Sequence, residues 1–156
     1  MKTLTEVRRE QHEVMNRWFD EWNALGGGNI KPNWDYETVS KQIEADWLQS
    51  LQVGDHAHVC MYSDIEPCTV IKRTASTITV RYDDAKLNGK WKPNMIVGGF
   101  CAYCDNQNEQ FDGWNIVEDL DGRTETFRWS KKYQKWLNTC GEKLRPEWKK
   151  FYDYNF

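Results

Sequence analysis

Two cysteines two residues apart carry the clearest chemical potential in this chain. They are Cys101 and Cys104, in the stretch GGFCAYCDNQNEQF at 98–111. The spacing is that of a zinc knuckle, but a structural zinc site needs four N or S ligands. The nearest completion is the run VGDHAHVCMYS, where His56, His58 and Cys60 recur every second residue. In a strand such positions share one face, so this row with Tyr62 would point away from Val53, Ala57, Val59 and Met61. The metal alternative is therefore His56, His58, Cys101 and Cys104. Against it, the histidines are not in a loop with knuckle spacing. Cys101 and Cys104 face opposite sides if they lie in a strand, and free cysteine is an ordinary small core residue. The thiols read as packing residues, with no metal and no cofactor expected.

Other catalytic chemistry finds less support. A redox Cys-x-x-Cys opens a helix in a β-α-β setting; here Gly-Gly precedes and Asp-Asn follows. Three histidines and five cysteines allow a Cys–His pair on paper, but no local signature marks one. Asp83-Asp84 reads as the end of a strand rather than an acid–base pair. Neither a Walker A loop nor a dinucleotide fingerprint is present.

Binding is the stronger theme. Aromatic residues make up 14% of the chain and nine are Trp, which excludes a disordered polymer. Ring stacking holds a nucleotide or single-stranded nucleic acid at roughly 1–3 kcal/mol per base. Trp91, Phe100, Tyr103, Trp114 and Trp129 are candidate rings, with Trp136 beside them. Arg128 and Lys131 or Lys132 are candidate cations, and Asn106, Gln107 and Asn108 candidate edge readers. The competing reading makes Trp114 and Trp129 cross-strand core partners and 105–109 a plain polar loop. Acidic helices bearing Trp18, Trp22, Trp34 and Trp47 offer a second surface, for a protein partner.

Charge limits the partners. Net charge is −3, with an acidic body and a basic segment after residue 120. That does not suit strong duplex binding, which needs many phosphate contacts. It permits a local anion site near Arg123, Arg128, Lys131, Lys132 and Lys135. No apolar run approaches the roughly 18 residues of a membrane span, and MKTLTEVRREQHEV is too charged for a secretory signal. The expectation is a cytoplasmic protein with reduced thiols, no membrane partner and an open oligomeric state.

The positioning elements follow from periodicity. Residues 5–24 have an apolar stripe of Val7, Val14, Met15, Trp18, Trp22 and Leu25, with Thr3 and Glu6 as a capping box and Gly26-Gly27-Gly28 as a stop. A second helix is expected at 35–51, capped by Asn33 or Asp35. From Val53 the period falls to two. CTVIKR and TITVRY form a hairpin, and 84–110 reads as irregular. WNIVED and TETFRWS flank Asp121-Gly122 and read as a second hairpin. KWLNT extends it, and EWKKFYDYNF reads as the last strand. The chain is thus α+β: an N-terminal helical region at 1–51, then at 52–156 a mostly antiparallel sheet closed as a small barrel.

The run VGDHAHVCMYSDIEPCTVIKRTASTITVRYD resembles the opening of SH3-like barrels. Ser63-Asp64 before TVIKRT, Gly98-Gly99-Phe100 with Cys104, Phe127-Arg128-Trp129-Ser130 and the terminal FYDYNF resemble small uncharacterised proteins of phages and prophages. In that group an Arg and a His follow the Ser-Asp, where Ile65 and Glu66 stand here. The resemblance implies provenance rather than chemistry. It leads to the expectation of a non-enzymatic accessory protein that neutralises a host defence by binding a nucleotide signal or a defence protein. The alternative is an SH3-like nucleic-acid module in phage replication or regulation.

Overall fold

The computed structural model describes residues 1–98 and 101–155, with the Cys101 side chain outside that description. The chain divides into two compact units, Met1–Leu51 and Gln52–Phe156.

The first unit is a helical hairpin of α1 (Leu4–Ala24) and α2 (Tyr36–Gln49). The expected capping box is present: Thr3 Oγ1 accepts from the Glu6 amide while Glu6 accepts from the Thr3 amide. Gly26, Gly27 and Gly28 all take positive φ, between 66° and 89°, a run that no other residue type tolerates cheaply. Asp35 caps α2 through the Glu37 and Thr38 amides. The helices pack on each other, and Gln11 Nε2 and the Trp18 indole donate across to the Ser40 and Trp34 carbonyls. Val7, Val14, Ala45 and Leu48 are buried. The apolar stripe of α1 does not end in the seam, because Leu25 stays exposed, and Phe19, outside the stripe, is exposed as well.

The second unit is a closed antiparallel barrel of six strands: β1 (His56–Cys60), β2 (Ile65–Arg73), β3 (Thr77–Tyr82), β8 (Thr124–Ser130), β9 (Lys135–Leu137) and β10 (Lys143–Pro146). The α+β barrel expected from periodicity is thus the observed fold. The order around the barrel is β1-β10-β9-β8-β3-β2. Closure pairs every strand on both sides and leaves no open edge. Ala57, Val59, Cys68, Val70, Ile78, Val80, Phe127, Trp136 and Leu144 fill the interior. Truncating a buried ring such as Phe127 or Trp136 to alanine costs about 3–5 kcal/mol in such a core.

Between β3 and β8 the chain leaves the barrel. It forms β4 (Asp84–Leu87), β5 (Met95–Gly98), β6 (Cys101–Cys104), the 3-10 helix Gln107–Asp112 and β7 (Trp114–Val117). β4 pairs with β7 and β5 pairs with β6, as two separate ribbons.

Four sequence expectations are corrected here. First, 84–110 is not irregular but holds three strands and part of a 3-10 helix. Second, β7 does not form a hairpin with β8. It returns to β4, and β8 pairs with β3. The Asp121-Gly122 signal serves a close approach instead: a Cβ on Gly122 would lie 2.1 Å from the Tyr82 carbonyl oxygen. Third, Trp114 and Trp129 are not partners. Trp129 lies opposite Trp136, edge to face at 5.0 Å, and Trp114 lies opposite Leu87. Fourth, the closing strand is β10, and Phe151 contributes only an isolated bridge to Ile65.

Candidate functional site

The candidate residues do not converge on one site. Trp91 is buried, its indole donating to the Asn106 carbonyl and its ring packed on Tyr154. The Asn106 side chain accepts from the Asn94 amide and donates to the Lys92 carbonyl, fixing the base of the β5–β6 ribbon. Gln107 Oε1 accepts from the Tyr154 amide at 3.0 Å. Trp114 donates to Gln110 Oε1. Two of the three proposed edge readers, Asn106 and Gln107, therefore read the protein's own backbone. Asn108 is exposed, and Phe100 lies outside the described residues. Arg128 and Trp129 line a separate cavity of about 250 Å³ on β8 and β9, and Lys131 is exposed in the turn after β8.

The residue that sequence reading missed is Gln110. It is fully buried, and its side chain mimics a peptide group. Nε2 donates to the Tyr152 carbonyl at 2.9 Å and Oε1 accepts from the Tyr152 amide at 2.8 Å. Asn155 repeats the device against Cys104, accepting from its amide and donating to its carbonyl. Asp64 accepts from the Asp153 amide. The segment Phe151–Asn155 is thus held by side-chain amides and a carboxylate rather than by a strand ladder. Nothing in the periodicity signals such a clamp, because each partner is distant in sequence.

The thiol and histidine candidates are also placed. Among the described residues no three His, Cys, Asp or Glu side chains gather as a metal site. Cys104 is buried, and its thiol donates to Asn106 Oδ1. His56 stacks on Trp148 at 3.8 Å and faces Glu118, which also binds Arg81 at 3.0 Å. Asp83 is buried and accepts from Thr69, the Trp148 indole and the Asp119 amide, which accounts for its place beside the exposed Asp84. Burial raises the Cys60 and Cys68 thiols, opposite to what a nucleophilic thiolate needs.

His58 is 4% exposed, and its Nδ1 donates to the Glu147 carbonyl at 2.8 Å. Burial pulls its pKa down from 6.5 to about 4. Above pH 6.5 the ring is neutral in both folded and unfolded chains. Between pH 6.5 and 4 only the unfolded chain gains the proton, so acidification costs stability, about 3 kcal/mol once complete. Urea unfolding at pH 7 and pH 4.5 is expected to show this loss, reduced by His58→Gln. An equal acid loss in both proteins would place its origin elsewhere.

Two surfaces remain as candidates. One is the β5–β6 ribbon, where Met95, Ile96, Val97 and Tyr103 are all exposed and Val97 is 90% exposed. The other is in the helical unit, a cavity of about 700 Å³ lined by Trp18, Phe19, Trp22, Trp34 and Tyr36. No helix is long and apolar enough to cross a membrane among the described residues. Compared with known proteins, the chain matches no family model, no curated protein and no solved structure.

Proposed function

We propose that the protein is a non-enzymatic binding protein that acts by occupying another protein, in the manner of a phage accessory protein blocking a host defence component. The observation that carries this reading is the β5–β6 ribbon. A two-stranded ribbon that exposes Met95, Ile96, Val97 and Tyr103 leaves apolar surface in water at a cost. Its base is nonetheless fixed by Asn94, Asn106 and Asn155. A held apolar surface of this kind suits a protein contact. The nucleotide arm has less support, since Asn106 and Gln107 already bind backbone.

The test compares the wild type with Val97→Asp in a host whose defence restricts a phage. Across a panel of such hosts, the wild type is expected to restore plaque formation in at least one. The variant is expected to lose that effect while its melting temperature stays within about 2 °C, as for an exposed substitution. Restoration by both proteins alike would reject the ribbon as the contact. A thermal shift or turnover with a nucleotide would move the function to the nucleotide or enzyme class.

An SH3-like nucleic-acid module is the second reading, favoured by the cavity beside Arg128 and Trp129. It requires oligonucleotide binding that falls steeply with salt.

A further inference from the structure

We infer that the aromatic cleft of the helical unit is a receptor for an arginine side chain presented by a partner protein. Four rings form one connected cluster. Trp18 stands at 5.2 Å from Phe19, 6.2 Å from Trp22 and 5.5 Å from Tyr36. Trp34 completes the lining.

The polar edges of these rings decide the ligand's sign. All three indole N–H groups are engaged inside the unit. Trp18 donates to the Trp34 carbonyl, Trp22 to the Gly28 carbonyl and Trp34 to Glu21 Oε2 at 2.6 Å. An anion entering the cleft therefore meets no indole donor. The π faces carry negative potential and attract cations. Charge agrees with the rings: Asp35 and Glu37 line the cleft and Glu21 binds its edge, three acids against Lys31 in the lining and Arg17 over Trp34.

The choice of guanidinium over ammonium also has a basis in the structure. Arg17 already lies over the Trp34 ring, 5.0 Å from its centroid. A planar, weakly hydrated guanidinium stacks on an aromatic face where a compact ammonium keeps its water. This inference rests on the helical unit alone and stands or falls separately from the role of the β5–β6 ribbon.

The test uses the full chain labelled with nitrogen-15 and follows its indole N–H resonances. The probe is the peptide acetyl-Gly-Arg-Gly-Arg-Gly-amide, with a control in which citrulline replaces both arginines at nearly the same shape and no charge. The arginine peptide is expected to move the Trp18, Trp22 and Trp34 signals saturably at millimolar concentration. The citrulline peptide should leave them in place. Phe19→Ala and Glu37→Gln, both at exposed positions, should each weaken the response about two- to fivefold while the remaining indole signals stay dispersed. Equal shifts with citrulline would reduce the cleft to a merely apolar groove and overturn the assignment. Silence of those three indoles at several millimolar arginine peptide would overturn it as well.

Discussion

Replacing Gln110 with alanine is expected to remove about 3–5 kcal/mol of stability, the largest loss from any single amide in the chain. The side chain is 0% exposed and makes four hydrogen bonds, to the Gln107 carbonyl, the Tyr152 carbonyl and amide, and the Trp114 indole. Truncation leaves the part-buried Tyr152 amide and Trp114 indole without their partner. Each stranded donor costs about 1–3 kcal/mol, and the vacated volume adds a cavity term. Urea unfolding measures the total. Limited proteolysis reports the mechanism, because cleavage near Tyr152 should accelerate once the clamp is gone. Gln110→Met restores most of the volume but none of the bonds, so it separates packing from hydrogen bonding. A methionine variant as stable as the wild type would show that the bonds contribute little.

Gly122→Ala is expected to be nearly as damaging, at about 3 kcal/mol or more, through strain rather than lost contacts. An alanine Cβ would sit 2.1 Å from the Tyr82 carbonyl oxygen and 3.1 Å from that of Asp119. Both obstacles are backbone, which cannot swing aside. Tyr82 is fixed on its other side by its own amide, which donates to the Arg123 carbonyl, and by its hydroxyl, which donates to Glu125. Relief would require β3 and β8 to separate beside the Tyr82–Arg123 hydrogen bond. Thermal unfolding and hydrogen exchange of the β3 and β8 amides are the measurements. Unchanged protection at Ile78 and Val80, whose amides face β8, would show that the turn yields instead of the barrel.

What was legible in the sequence followed from local rules. The capping box at Thr3, the glycine stop and the 3.6-residue stripe placed α1, and the alternation of Ile78, Val80 and Tyr82 placed β3 with its inner face. Partner choice was less legible. Trp114–Val117 reads as a strand, yet it pairs with β4 rather than β8, and Gly122 packs on the Tyr82 backbone, neither of which a period encodes. β10 was hidden by Pro146, which argues against a strand. The proline is tolerated because it lies past the end of β9 and pairs only with Ala57. The partners of the candidate amides were illegible for a related reason. Asn106 and Gln107 are amides of the right kind for recognition, but what they recognise is this chain.

The excursion that starts after Tyr82 and ends at Arg123 leaves and rejoins the barrel at one hydrogen-bonded point, from the Tyr82 amide to the Arg123 carbonyl at 2.9 Å. The entropy cost of closing a segment between two touching ends grows only slowly with its length. The six-strand frame and the apolar ribbon are thereby decoupled. The frame can stay constant while the cassette is rewritten outside Cys104, Gln107 and Gln110, which fasten it to the Phe151–Asn155 strap. That arrangement lets the surface of the ribbon change without altering the six-strand frame.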